Sequence, residues 1–324
     1  MKNLRLLVIL IFLFGCSEKK NHPYTFYYWR TTLKLNELEQ KELNNSTSNT
    51  LYTRFFDVDK INGKLQPVAI ANYTPSFKTD KKVVPVIFIT NKSFIGITPT
   101  EIDALAKGIL NVTENKRKEY QLLPTDEIQI DCDWTAGTKD DFFSFLKKLS
   151  DLTKKKITST IRLHQIKDKD RMGVPPVKKV YLMCYSTSSP LENSDKNSIL
   201  DVGILKSYLK DIQNYPIKTI DVALPIYSWG IVTNHFGNHK LINGLNYADL
   251  NNPNFKKLSE SKARVEKDGF YFGHYLNKGF EIKVEQINNE DLDEVINYLD
   301  KKIKNYTIVY YQLDSQFLEN KNFS

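Results

Sequence analysis

Ile128-Gln129-Ile130-Asp131-Cys132-Asp133-Trp134-Thr135 decides how the rest of the chain is read. An apolar run ends in two carboxylates. Side chains alternate between the faces of a β-strand, so Gln129, Asp131 and Asp133 share one face. Charge at the tip of an otherwise apolar strand costs free energy unless it is paired or used, which makes this tip a candidate site.

Seven further runs have the same character: Tyr24–Trp29, Leu51–Asp57, Val83–Ile89, Ile157–His164, Lys179–Tyr185, Thr219–Tyr227 and Thr307–Leu313. Near-continuous apolar runs are the pattern of parallel strands covered on both faces. Helical periodicity separates several of them. Ile102, Leu105, Ile109 and Val112 form one stripe within 100–120, and Phe142, Phe145, Leu146 and Leu149 another within 139–156. Segments 35–43, 201–214 and 289–305 repeat the pattern, whereas 58–82 and 165–178 read as loops. Strand and helix in alternation predict a (β/α)8 TIM barrel in one domain over 24–316, with a doubly wound open sheet as the alternative. The stretch 230–287 is too long for one crossover helix. It predicts a small insertion over the barrel mouth, with a hairpin joining 269–276 to 280–285 through Asn277-Lys278-Gly279.

The chain opens with Lys2 and Arg5, an apolar run Leu6–Phe14, and then Gly15-Cys16. Nine apolar residues fall short of the ~20 that span a bilayer, so residues 1–15 read as a secretory signal peptide. Leu13-Phe14-Gly15-Cys16 resembles the lipobox of bacterial lipoproteins. That resemblance implies lipidation of Cys16, a polar tether over 16–23, and a membrane partner at the bacterial cell envelope. The net charge is +8. Lysines and acids are interleaved along the chain, where nucleic-acid binding calls for a basic stripe, so no nucleic acid is expected. Cys132 and Cys184 read as small apolar core groups; no disulfide, zinc spacing or cofactor motif is evident.

In a barrel the site lies at the C-terminal strand ends. These ends offer Trp29, Arg54, Asp57, Asp59, Asp131, Asp133, Trp134, Arg162, His164, Tyr185, Tyr227, Trp229 and Gln312. Carboxylates and amides among aromatic rings suit a carbohydrate, whose hydroxyls need acceptors and whose C–H faces stack on rings. Asp131, Asp133, His164 and Asp57 are the catalytic candidates; the remaining nine are substrate-binding candidates. Alternation predicts that Asp131 pairs with Arg162 and Asp133 with His164 across neighbouring strands.

Asp131-Cys-Asp133-Trp134 resembles the fourth-strand motif of family 18 glycoside hydrolases, Asp-x-x-Asp-x-Asp-x-Glu. Met183-Cys-Tyr185 and Leu224-Pro225-Ile-Tyr227 are similar to that family's sixth- and seventh-strand motifs. Tyr28-Trp29-Arg30-Thr31-Thr32 and Arg54-Phe55-Phe56-Asp57-Val58-Asp59 are similar to a group of bacterial barrel lipoproteins, a resemblance that brings no activity with it. The chitinase-like resemblance implies a helper carboxylate at Asp133. The family's proton donor, however, falls on Thr135, and the Asp after the sixth-strand Tyr falls on Ser186. Threonine cannot protonate a leaving oxygen at neutral pH. Either another carboxylate serves as acid, with Asp57, Asp59, Glu192 and Asp314 as candidates, or the barrel binds glycan or a partner protein without turnover. A metal-dependent hydrolase built on the same carboxylates and His164 is the third reading.

Overall fold

The computed structural model describes residues 21–192, 194–319, 321 and 323. The leader and Cys16 lie outside the described residues. Eight strands form the barrel: β1 (Tyr24–Tyr28), β2 (Thr50–Ile61), β3 (Lys82–Ile89), β4 (Glu127–Asp131), β5 (Lys156–Arg162), β6 (Lys179–Met183), β7 (Thr219–Pro225) and β8 (Ile308–Tyr311). Each pairs in parallel with its sequence neighbours. The sheet closes where β1 pairs with both β8 and β2. This is the expected (β/α)8 barrel.

Helices cover the outside: α1 (Glu37–Asn45), α2 (Pro99–Glu119), α3 (Lys139–Asp151), α4 (Leu163–Lys167), α5 (Val202–Tyr208), α6 (Asn289–Asp300) and α7 (Ser315–Leu318). Their starts are written locally. Thr98 accepts from the Glu101 amide while the Glu101 carboxylate accepts from the Thr98 amide, and Pro99 supplies the fixed φ of a first helical residue. The apolar stripe of α3 buries Phe142, Phe145, Leu146 and Leu149 against the barrel wall. Cys132 and Cys184 are buried free thiols in this outer layer. Among the described residues no helix is long and apolar enough to cross a membrane.

Between β2 and β3 a hairpin replaces the helix. The β2 strand runs on to Ile61, turns at Asn62-Gly63 with φ of 50° and 77°, and returns as Lys64–Val68. Positive φ at both positions is the type I′ geometry that Asn-Gly favours. The segment 165–178, read as a loop, instead carries the end of α4 and a short helix at Lys169–Met172.

Inside the barrel, Tyr27, Tyr52, Val84, Val86, Tyr181, Ala223 and Val309 pack together. The Tyr52 and Tyr181 hydroxyls meet at 2.6 Å. This layer fills the lower barrel and leaves the upper end open.

Between β7 and α6 lies a five-stranded antiparallel sheet in the order His239–Asn243, Trp229–Thr233, Glu281–Glu285, Lys262–Val265, Phe255–Lys257. Val232, Ile242, Leu250, Val265, Ile282 and Val284 form its separate core. The expected hairpin is different here. Gly269–Tyr271 pairs with His274–Leu276 through Phe272-Gly273, whose φ values are 54° and 74°. Asn277-Lys278-Gly279 turns the chain, but Glu281–Glu285 enters the sheet between Trp229–Thr233 and Lys262–Val265. Two glycine turns stand close together in the sequence, and the earlier one makes the hairpin.

Candidate functional site

The open end of the barrel holds a cavity of about 470 Å³ at the C-terminal strand ends. Its floor is Tyr27 and Gln129, whose hydroxyl and amide oxygen bond at 2.8 Å. Gln129 is fully buried, and its amide nitrogen has no hydrogen-bond partner among the described residues.

Asp131 ends β4 just above that floor and is 5 % exposed. The Thr160 hydroxyl donates to it at 2.6 Å. Burial, followed by repulsion from Asp133, pushes its carboxyl up to about 7, against relief from Thr160 and Arg162. Asp131 therefore holds a proton for part of the time at neutral pH, next to Asp133, whose side chain is 46 % exposed. Arg162 pairs with Asp133 at 3.0 Å, not with Asp131 as alternation predicted. The reason is the register of the β4–β5 ladder: Gln129 stands opposite Thr158, which carries Asp131 to Thr160 and Asp133 to Arg162.

Asp57 is held by two guanidinium nitrogens of Arg54 on the same strand, Nε donating to Oδ1 at 2.7 Å and Nη2 to Oδ2. The Arg54 guanidinium also lies 5.7 Å from the Trp29 ring centroid. The aromatic wall is continuous: Trp29 meets Tyr311 at 5.8 Å, Tyr311 stacks with Tyr185 at 5.5 Å, and Tyr227 lies 5.3 Å from Trp229. The Trp229 indole donates to Glu285 at 2.9 Å. Glu285 is 2 % exposed and also accepts from Lys283 at 2.6 Å and from Ser198. The insertion sheet thereby fixes the outermost ring of the wall.

Of the residues singled out from the sequence, the cavity gathers Trp29, Arg54, Asp57, Asp131, Asp133, Arg162, Tyr185, Tyr227, Trp229 and Gln312. Three lie elsewhere. Trp134 is 1 % exposed, stacks on Phe142 at 5.2 Å and donates to the Met172 carbonyl at 3.0 Å. It points outward into the layer beneath α3. Asp59 faces Lys92 at 2.9 Å and accepts from Thr90, which hold its carboxyl below the usual range. His164 is half-buried in the first turn of α4, because β5 ends at Arg162. Burial and the Arg162 charge depress its pKa, and it does not meet Asp133 as a hydrogen-bond partner.

Thr135 is exposed and outside the cavity; its amide and hydroxyl are tied to the Thr138 hydroxyl at the start of α3. Asp314 accepts from the Gln316 amide as the cap of α7, and Glu192 sits on an exposed turn. Among the described residues no three His, Cys, Asp or Glu side chains converge as metal ligands. The sequence reading passed over Tyr311, although it named Gln312 beside it, and Thr160, which stands two residues before Arg162 on the same strand. Glu285 was missed because, besides its near neighbour Lys283, its partners Trp229 and Ser198 lie 56 and 87 residues away in the chain.

No family model and no curated protein matches the sequence. Solved structures do. The spore cortex-lytic enzyme SleL of Bacillus cereus is 15% identical, with a TM-score of 0.57 over 94% of this chain and 76% of that one. SleL of Bacillus megaterium QM B1551 is also 15% identical, with a TM-score of 0.56 over 92% of this chain and 72% of that one. A chitinase of Chromobacterium violaceum is 10% identical, with a TM-score of 0.53 over 91% of this chain and 96% of that one. At these identities the likeness establishes a shared barrel fold, resembling that of chitinases and the spore cortex-lytic enzyme.

Proposed function

We propose that this chain is a lipid-anchored protein of the bacterial cell envelope, held through Cys16, whose barrel cavity binds a glycan. The observation that carries the reading is the wall of Trp29, Tyr185, Tyr227, Trp229 and Tyr311 around the polar groups of Asp57, Asp131, Asp133 and Gln312. Rings present faces to the apolar side of a sugar, and the carboxylates and amide accept from its hydroxyls. The barrel likeness to SleL and chitinases supports the same substrate class.

Binding without cleavage fits the carboxylates best. Glycoside cleavage needs one acid that reaches the leaving oxygen and a second carboxylate for the opposite face. The position that matches the family 18 proton donor is Thr135, which does not line the cavity and is bonded to Thr138. Asp57 is neutralised by Arg54 and Asp133 by Arg162. One observation favours a second reading, hydrolysis with Asp131 as acid: its carboxyl keeps its proton up to about pH 7 beside Asp133.

A screen of envelope and dietary glycans against the chain lacking residues 1–23 tests both. The binding reading expects retained glycan with no released sugar, and retention in Asp133→Asn. Sugar release that is lost in both Asp131→Asn and Asp133→Asn, with folding intact, replaces it by the hydrolase. The absence of any bound glycan ends both.

A further inference from the structure

The interleaving of lysines and acids along the sequence hides a strong asymmetry in space. The strands begin at the barrel end opposite the cavity. Segments 78–82, 125–127, 154–156, 178–179, 216–218 and 301–306 lead into β3 to β8 and carry twelve lysines against three acids. Few of these charges are cancelled. Lys156 meets Asp126 at 3.0 Å and Lys179 meets Asp221 at 2.6 Å. Lys81, Lys218 and Lys302 donate instead to backbone carbonyls, which leaves their positive charge in place. Lys154, Lys178 and Lys304 are exposed, with no carboxylate partner among the described residues. The carboxylates Asp57, Asp131 and Asp133 stand at the other end of the barrel.

The same basic end receives the start of the chain. His22 is 5 % exposed, bonds to Asp300 at 2.7 Å and stacks on Tyr306 at 4.0 Å. Pro23 then accepts from the Ile308 amide at the beginning of β8. Six Cα steps separate Cys16 from His22, a reach of about 20 Å at most. A lipid on Cys16 would keep this face close to a bilayer.

We propose that the face made by the N-terminal strand ends is a docking surface for anionic lipid headgroups, so that the cavity opens away from the membrane. The orientation rests on the lipid-anchor reading; the charge of the face stands without it. Clustered lysines gain from a negative surface potential within a Debye length, and salt screens the gain. A nucleic acid would also meet lysines, but the pinned tether selects the bilayer.

The chain from Asn21 contains all eight strands and the insertion core, and serves for the test without any lipid. It should co-sediment with phosphatidylcholine vesicles containing phosphatidylglycerol, not with phosphatidylcholine alone, and be released by about 0.5 M salt. Replacing Lys154, Lys178 and Lys304 together by Gln should weaken binding on the order of a hundredfold, at roughly fivefold for each lysine. The same change at Lys240, Lys256 and Lys257 of the insertion should leave it unaltered. Equal sedimentation with both vesicles, insensitivity to the first triple variant, or binding to DNA in place of vesicles overturns the proposal. Mass spectrometry of the membrane-extracted protein separates the two ideas. Unlipidated Cys16 with retained vesicle binding supports the surface while removing the anchor. Lipidated Cys16 without preference for anionic vesicles removes the surface while keeping the anchor.

Discussion

Asp131 has the clearest consequence of any single residue. Its carboxyl titrates at about 7 in the fold against 3.8 as the ordinary value. A raised pKa means the folded state holds the proton that the unfolded chain releases. The favourable contribution is therefore complete below about pH 4, declines as pH rises, and is gone above about pH 7. Asp131→Asn preserves a neutral shape and has no such decline. Urea denaturation of the two chains should coincide near pH 4 and diverge towards pH 8, with the variant more stable by as much as about 4 kcal/mol. Parallel curves across that range would show that Asp131 is ionised throughout. Trp134 differs from the other two tryptophans at the same scale. It is core, so Trp134→Ala should cost about 3–5 kcal/mol. Trp134→Phe, which keeps the stacking on Phe142, should fold and retain full glycan affinity; a loss of affinity there would return Trp134 to the site.

At the scale of elements, the fold was legible wherever burial set a long repeat. The eight strand runs and the α2 and α3 stripes all appear in place, because continuous burial on a closed sheet leaves a continuous apolar record. Legibility failed at element ends. The β5 strand stops at Arg162, so His164 leaves the face that alternation assigns it, whereas Trp134 keeps the outward parity of Ile130 and Cys132 and was a site candidate only by its nearness to the strand tip. Strand ends depend on where the neighbouring ladder stops, a property of the sheet and not of the segment. The hairpin of the insertion was misplaced for a related reason. Two turns, each with a glycine, compete within a few residues, and pairing to distant Trp229–Thr233 decides between them. The insertion's hold on the site is a second element-scale claim. Glu285→Ala leaves Lys283 buried without its carboxylate and the Trp229 indole without its acceptor, which should cost about 3–5 kcal/mol. Glu285→Gln retains an acceptor for the indole and should recover glycan affinity ahead of stability. Denaturation midpoints and affinities of the two variants check this, and full stability in Glu285→Ala would dismiss the network as an anchor.

For the whole molecule, closure of the barrel explains why residues from Trp29 to Gln312 share one hollow. A parallel barrel sends every strand's C-terminal end to the same side, so tips remote in sequence become neighbours. The same closure sends every strand's beginning to the opposite side, where the lysines collect. One fold thus separates a carboxylate-lined, ring-walled mouth from a basic base. The account stands on the mouth taking up sugar against its aromatic wall. Calorimetric titration of the oligosaccharide selected by the glycan screen, into the wild-type chain and into Trp229→Ala, tests that most directly. The predicted result is one saturable site, weakened more than about tenfold by the substitution. Equal affinity in the two chains, with loss instead in a variant of the exposed insertion ring Phe270, would contradict it.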